Sequence, residues 1–402
     1  MKQKVVVIGH GYTSRLGIIR SLGQIGCDIT VVVMVFHGRL GRLIRFDGGK
    51  PVDCHSKYVN RMFYCYAKGE DELIQLLLNH CVSPDQKVII IPDSDFSASV
   101  IDKHQKELEP HFLFPHIHHK PEAVKQWMDK KRQKLLAKEV GLNVAEGHVV
   151  PIRSQHYSLP EEVKYPCFTK PLTTVGGGKQ FFKRCDDENT LKQMLDRVGQ
   201  VSDMDMLVED FKTIDVEYAV VGFSDGDNVV IPGIIEFIVN SKSHFGIARE
   251  GKIMPITGFE SLLEQFKEFV RQIGFCGLFD IDFYESDGKM YFGEMNLRFG
   301  GSGYAYTAMG VNLPAMLVRA LRGESIADMQ QEVTDTATYV NERMCIDDWS
   351  FYHITEKEMR SIIDSANIRF VYDKSDQGPQ KKQERYIQQN RVKRQLRKWI
   401  RK

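Results

Sequence analysis

Three polar side chains recur at every second position in the apolar run "FGEMNLRFGG" (residues 292–301): Glu294, Asn296 and Arg298. Such spacing on an extended strand puts all three on one face. The preceding "CGLFDIDFYESDGKMYFGEM" (276–295) reads as a hairpin turning at Ser286-Asp287-Gly288. A three-residue turn pairs Glu285 with Lys289 and puts Asp280, Asp282 and Tyr284 on the face of Glu294 and Asn296. A two-residue turn puts them on opposite faces. With the odd-length turn, one surface carries Asp282, Glu294, Asn296 and Arg298, hard oxygen donors with a cation at their edge. Mg²⁺ takes one or two carboxylates and fills its shell with phosphate oxygens. A solvated edge hairpin is the bland alternative, but the opposite register is heavily apolar, as in a packed hairpin.

A second stretch suits phosphates. In "YPCFTKPLTTVGGGKQFFKRC" (165–185) two β-like runs flank a Thr/Gly loop. Gly176, Gly177 and Gly178 let backbone N–H groups approach an anion. Lys170 enters from the first run and Lys179 leaves the loop. This describes a lid closing on phosphates; a mobile hairpin tip with solvated lysines competes with it. In "MLVEDFKTIDVEYAVVGF" (206–223) an apolar strand reaches Glu209-Asp210, bends, and resumes with Glu217. "PEAVKQWMDKKRQKLLAKEVGLNV" (121–144) has helical apolar spacing, with Gly141 placed to end the helix.

The elements that position these groups begin at the N-terminus. "KVVVIG" (4–9), "CDITVVVMV" and "KVIIIP" (87–92) are buried strands alternating with helices, the signature of a doubly wound parallel α/β unit over about residues 1–110. Gly9-x-Gly11-x-x-Ser14 approximates a dinucleotide fingerprint, but Ser14 replaces the third glycine, and the second strand runs into "VVVMVFHGRL" with no acid for a ribose. A nicotinamide oxidoreductase is therefore disfavoured. The turn at Gly11 could still hold a substrate's anionic group at a helix N-terminus. "IIIPDSDFSASV" (89–100) places Asp93, Ser94 and Asp95 beyond a strand's C-terminal end, where open α/β sheets bind ligands. Capping of the next helix by Ser94 or Asp95 is the competing reading. His116, His118 and His119 fall in a Pro/His-rich linker without nearby acidic or Cys partners, which reads as solvated rather than metal-binding. "SKSHFGIARE" (241–250) offers His244 and Arg249 as substrate-facing candidates, or is a plain surface loop.

Composition bounds the rest. A chain of 402 residues exceeds one ordinary core, so two or three domains are expected. A net charge of +1 argues against nucleic acid as partner. Eight cysteines without a CxxC pair read as reduced thiols of a cytoplasmic protein. "ITVVVMVF" (29–36) is far short of a membrane span, and the N-terminus does not read as a signal peptide. "KKQERYIQQNRVKRQLRKWIRK" (381–402) carries ten Lys/Arg against one Glu, with Val392, Leu396, Trp399 and Ile400 at helical spacing. Such a basic amphipathic helix suits peripheral contact with an anionic membrane; a solvated tail, or docking on an acidic partner, are the alternatives.

In order, these motifs resemble the ATP-grasp superfamily of carboxylate–amine ligases, in its carbamoyl-phosphate-synthase-like branch, similar to D-aspartate-ligase-type enzymes. The resemblance covers about residues 1–325. It implies an α/β and α+β chain: a Rossmann-like pre-ATP-grasp domain (1–115), a two-lobed ATP-grasp domain (116–330, lid about 150–207) and a C-terminal extension (331–402). "DKKRQKLLAKEVGLNV" resembles the opening helix, with Lys130 as the first ATP-contacting lysine. "YPCFTKPLTTVGGGK" resembles the lid, with Lys170 on the α- and β-phosphates. "MLVEDF" resembles the adenine-reading hinge: Glu209 accepts from the exocyclic amine, the backbone at Phe211 and Lys212 pairs with the ring edge, and Glu217 holds the ribose. "FDIDF…GEMNLR" resembles the metal-binding strands, selecting Asp282 over Asp280 beside Glu294 and Asn296, with Arg298 facing the transferred phosphate. "RFGGSGYAYTAMGVNLPAML" (298–317) matches the branch, with Gly301 and Ser302 toward substrate, as do Ser94 and Asp95, where amino-acid ligases often read "PtSD". Asn143 and Leu297 are minor departures. The implied function is an ATP- and Mg²⁺- (or Mn²⁺-) dependent ligase joining a small carboxylate to an amine through an acylphosphate. A lipid- or glycan-linked substrate, as in adding an amino acid to a cell-wall or capsule precursor, fits this reading. A homodimer is compatible with this reading, and a nucleotide-binding scaffold without turnover is its alternative.

Overall fold

The structure, a computed structural model, describes residues 2–10, 12–35, 50–66, 70–173, 179–244 and 246–400. Its N-terminal part is built on five parallel strands in the order Val59–Tyr66, Asp28–Val35, Lys4–Gly9, Val88–Pro92, Phe112–Leu113. This is the doubly wound order that the strand–helix alternation predicts. The β-branched run at 4–9 is covered on both faces, so its side chains alternate between two cores. Val6 and Ile8 pack with Leu73, Leu77, Ile101 and Leu108. Val5 and Val7 pack in the cluster that holds Ile18, Leu22, Phe299, Tyr304 and Met316. That second core joins the N-terminal sheet to the later half of the chain.

A ten-stranded sheet forms the main body. Its path runs Ile368–Arg369, Ala337–Val340, Ala248–Met254, Ile234–Asn240, Val216–Asp225, Phe275–Ser286, Lys289–Asn296, Asn143–Val144, with Val229–Val230 on Val216–Asp225 and His116–Ile117 on Phe275–Ser286 as the two strands off it. The helix Glu260–Ile273 lays Leu263, Phe266, Phe269, Val270 and Ile273 onto Phe279, Ile281, Phe283 and Phe292 of this sheet. Gly274, at φ 69°, ends the helix in the left-handed conformation that glycine takes without strain. A smaller antiparallel sheet, Lys183–Cys185, Cys167–Pro171, Met204–Asp210 and Gly147–Ile152, carries the helix Glu188–Gly199. Val150, Ile152, Phe181, Leu191, Leu195, Met206 and Val208 give it a core of its own, as a lid requires.

The last seventy residues are sewn to both sheets. Ala337–Val340 pairs with Ala248–Met254. Buried Glu342 accepts the backbone N–H groups of Phe370, Val371 and Tyr372. Arg20, in the first helix, reaches Asp376 at 3.0 Å and the carbonyls of Phe370 and Val371 at 2.9 and 2.8 Å. The basic segment forms a helix, Gly378–Ile400, and it is not a free tail: Ile387 is buried among Cys345, Ile346, Trp349 and Met359. Arg360 pairs with Glu384 at 2.9 Å, Arg391 pairs with Glu356, and Arg394 lies over the Trp349 and Tyr352 rings. The acidic partner that the basic charge suits is, as far as Arg394, the chain itself. Val392 is exposed, while the side chains of Leu396, Trp399 and Ile400 lie outside the described residues. Among the described residues no helix is long and apolar enough to cross a membrane.

Candidate active site

The hairpin turns differently from the odd-length reading, yet reaches the same face. Ser286 pairs with Lys289, so the turn is the two residues Asp287 and Gly288, both at positive φ. That register would oppose the two acidic stripes. A β-bulge between Phe283 and Asp282 intervenes: Phe283 pairs with Phe292, but Asp282 pairs with Glu294. The extra residue is Gly293, where a Cβ would sit 2.8 Å from the Asp282 carbonyl. One inserted residue inverts the side-chain parity of everything beyond it. Asp282 and Glu294 therefore stand directly opposite each other, with Asn296 donating to Asp282 at 3.4 Å. Two carboxylates and an amide oxygen are a donor set that fits Mg²⁺ or Mn²⁺.

The helix Lys130–Glu139 is held against this strand by Gln133. Its amide donates to the Met295 carbonyl and accepts from the Met295 N–H, both at 2.8 Å. Asp129 caps the helix by accepting from Arg132 N–H. Lys130, almost fully buried, thereby meets Glu294 at 2.7 Å. Lys170 of the lid reaches Glu209 at 2.8 Å, and Lys134 pairs with the other Glu209 oxygen. Burial disfavours the charged form of Lys170, but Glu209, Glu294 and Asp282 outweigh it and raise its pKa. Burial, then the charge of Lys170, lowers Lys134 to about 8. Three lysines thus converge on the groove between lid and body, a concentration of positive charge suited to a polyphosphate. Glu209 is locked by two lysines, so its role in reading an exocyclic amine is not carried by a free side chain. The Phe211 N–H donates to the Pro166 carbonyl, 3.1 Å, which leaves the Phe211 carbonyl and the Lys212 backbone for a ring edge.

Arg298 lies where the two sheets meet. It donates to Asp95 at 2.9 Å and to the Asn296 carbonyl oxygen of the side chain at 3.2 Å. Burial opposes its charge, but Asp95, Asp280, Asp93 and Asp282 raise its pKa far above the ordinary value. Asp95 is thus a positioning residue for Arg298 rather than a free substrate contact. Asp95→Asn is expected to lower kcat about tenfold while leaving the KM for ATP unchanged, because it misaims a cation rather than removing a nucleotide contact. Steady-state kinetics check this, and an unchanged kcat would remove the role.

Other candidates are engaged elsewhere. Ser94 caps the helix Asp95–Lys103 in a reciprocal box with Ser97, the structural reading of that residue. Arg249 is buried against Asp348 and Glu250, and His244 meets Asp347 at 2.8 Å, so the 241–250 loop is fastened to the helix Glu342–Ser350. Neither side chain faces the groove as a free substrate contact. Glu217 accepts from Asn240. Ser302 donates to the Tyr339 hydroxyl at 3.2 Å, and no atom lies within 4 Å of where a Gly301 Cβ would sit. His116 and His119 stack at 3.6 Å, and among the described residues no group of three or more His, Cys, Asp or Glu gathers to hold a metal ion. Gly11, Gly176, Gly177 and Gly178 lie outside the described residues.

Two groups at this site, Lys134 and Gln133, were not singled out in the sequence reading. Lys134 had a signal, since four residues after Lys130 is the same helix face; Gln133 had none that spacing alone provides. Asp280 and Asp93 were read there, one on the acidic face of the hairpin and the other beyond a strand end, without an assigned role. Asp280 is opposite Asn296, and burial pushes it up to about 6. Asp93 follows the strand Val88–Pro92, is 6% exposed and has the Ser14 side chain as its hydrogen-bonding neighbour. It crowds the Gly9 turn, where a Cβ would lie 2.9 Å from its Oδ2. Burial raises Asp93 to about 7 despite Arg15 and Arg298. A folded-state pKa above the unfolded value means that the native state binds the extra proton. Stability contributed by this group is therefore lost as pH rises from about 4 to about 7. Asp93→Asn should remove that loss, so the variant's Tm should exceed the wild type's at pH 8 and not at pH 4. Calorimetry at both values decides it.

The geometry agrees with three comparisons. Residues 129–329, half the chain, match the family model described as carbamoyl-phosphate synthase L chain, ATP binding domain. The carbamoyl phosphate synthase large chain of Gemmatimonas aurantiaca is 25% identical over 218 residues, 52% of this chain and 19% of that protein. The chain therefore spans about a fifth of that relative's length. An L-amino acid ligase from Bacillus licheniformis superposes with TM-score 0.63 at 17% identity, over 84% of this chain and 80% of that one. The biotin carboxylase domain dimer of a Hydrogenobacter thermophilus 2-oxoglutarate carboxylase, solved with MgADP and bicarbonate, superposes with TM-score 0.61 at 16% identity, over 84% and 74%. This chain belongs to the carbamoyl-phosphate synthase L chain, ATP-binding domain family, and is built on the ATP-grasp fold.

Proposed function

We propose that the protein is an ATP-dependent carboxylate–amine ligase working through an acylphosphate. The observation that carries this is the row Asp282, Glu294, Asn296 and Arg298 facing Lys130 and Lys170 across one groove. Asp282, Glu294 and Asn296 would hold Mg²⁺ or Mn²⁺, which when bound neutralises charge on the triphosphate. A carboxylate oxygen of the donor attacks the γ-phosphorus, the β–γ P–O bond breaks, and ADP leaves. The amine then attacks the acyl carbon, the C–O bond breaks, and phosphate leaves. Phosphoryl transfer asks little covalent work of a protein, so positioning and charge dominate. Lys130 and Lys170 exchange their carboxylate partners for phosphate oxygens, and Arg298 meets the transferred group. The lid, with its own core, moves as a unit and shuts out water that would hydrolyse the acylphosphate.

The test is ADP release with Mg²⁺-ATP across amino acids and other carboxylates, with hydroxylamine trapping the acylphosphate as hydroxamate. ADP and hydroxamate with one acid name the donor. Nucleotide binding without hydroxamate from any acid would favour a scaffold. The finer reading is that the acceptor belongs to a cell-wall or capsule precursor at the inner face of the membrane. The exposed Val392 and the basic residues after it support it. Failure to sediment with anionic vesicles would remove the membrane part. A homodimer is compatible with this reading, and light scattering reads the assembly.

A further inference from the structure

Two of the eight cysteines stand directly opposite each other. Cys167 opens the strand Cys167–Pro171, Cys185 ends the strand Lys183–Cys185, and the two are register partners in the antiparallel ladder of the lid sheet. Partners of this kind have Cα atoms about 4.5–5.5 Å apart, inside the span of about 4.4–6.8 Å that a disulfide bridges. Both side chains lie in the lid core, 1% and 0% exposed, and the two thiols hydrogen-bond each other. A bridge between them therefore needs no rearrangement of the strands.

An oxidant must still reach a buried thiol, and the place of Cys185 in the sheet allows it. Lys183–Cys185 is the edge strand, with Cys167–Pro171 inside it. The edge strand is three residues long, and its Lys183 and Arg184 are exposed. So short an edge opens locally at far lower cost than the fold unfolds. The pair is also unequal. The Cys167 thiol donates to Cys185 and the Lys183 charge assists, so Cys185 is held below the ordinary thiol value against its burial, while Cys167 is pushed up. One sulfur is the better nucleophile and the other keeps its proton.

We propose that Cys167 and Cys185 form a site of reversible oxidation that takes a hydroperoxide as its oxidant. The Cys185 sulfur attacks a peroxide oxygen, the O–O bond breaks, and the leaving hydroxide takes up the Cys185 proton as water. The sulfur is then a sulfenic acid. The Cys167 sulfur attacks it, the S–O bond breaks, and a second water leaves with the Cys167 proton. The two sulfurs lose one electron pair and the peroxide gains it. A small dithiol reverses the bridge by exchange. The bridge closes the two arms of the lid hairpin into a ring and ties the edge strand to the strand that carries Lys170, so opening of the edge no longer frees the residues between.

The full chain is treated with hydrogen peroxide under native conditions, alkylated with N-ethylmaleimide, and mapped by peptide mass spectrometry with and without dithiothreitol. A linked Cys167–Cys185 peptide should form ahead of any other oxidised cysteine and disappear on reduction. Hydrogen exchange at residues 183–185 should slow by about tenfold or more in the oxidised chain. Cys167→Ser should leave Cys185 as a sulfenic acid that dimedone traps. Thiols that stay reduced until urea is added, another cysteine oxidised first, or unchanged exchange at the edge strand in the linked chain would each overturn the site. The wild type carries these readouts, so they hold even if the variant fails to fold. None uses a substrate, so they decide the site whether or not the ligase reading stands.

Discussion

Glu294→Gln is expected to lower kcat by two to three orders of magnitude, about 3–4 kcal/mol of transition-state stabilisation, the scale of losing one preorganised charge-stabilising group. The substitution keeps the shape of the side chain and removes one negative charge from the pair that Asp282 and Glu294 form across the hairpin. It also frees Lys130, which loses its 2.7 Å partner and gains no other reason to move away from phosphates. Nucleotide binding should therefore survive, with the Kd for ATP changing by a few-fold while turnover collapses. Calorimetric titration with ATP alongside ADP-release kinetics separates the two. Undiminished kcat in the variant would show that Glu294 carries no part of the reaction, and loss of ATP affinity equal to the loss of rate would place it in uniform binding instead.

Arg20→Met should cost about 3–5 kcal/mol of stability and lower Tm by roughly 5–10 °C, because it leaves a buried carboxylate without its cation. Arg20 and Asp376 are 0% and 1% exposed. The guanidinium also satisfies the Phe370 and Val371 carbonyls, while Asp376 holds Ser56 Oγ and Lys57 N–H, each at 2.8 Å. One ion pair thus ties the first helix and the loop before the third strand to the C-terminal segment. Its loss should loosen residues 366–378 first, seen as early cleavage there in limited proteolysis. Pairing Arg20→Met with Asp376→Leu should recover part of the loss, since the orphaned charge is then gone. A single variant as stable as wild type would mean that the C-terminal segment is held by its apolar contacts alone.

The elements around the site were legible because their patterns are local. The β-branched runs at 4–9 and 87–92, the helix stop at Gly141 and the alternating Glu294-Asn296-Arg298 are each written within ten or so residues. Lys170 was legible beside the glycine-rich loop, whereas Lys130 was singled out only by the resemblance of its helix to the ATP-grasp opening helix. The tail stayed open between its readings for the opposite reason. Basic charge at helical spacing is as compatible with Glu356 of the same chain as with a membrane, and only folding brings Glu356 to Arg391.

By itself the sequence determined the parallel α/β opening and singled out Asp282, Glu294, Asn296, Lys130 and Lys170 as the side chains that the proposed reaction would use. Only the tertiary structure decided how those side chains meet. The face shared by Asp282 and Glu294 depends on a bulge at Gly293 that compensates a two-residue turn, two opposing one-residue shifts that no local pattern distinguishes from none. The pairing of Glu209 with both Lys134 and Lys170, and of Arg298 with Asp95, joins residues 39 to 203 positions apart. Such contacts are set by how sheets stack, and the burial that raises Asp93 exists only once they have stacked.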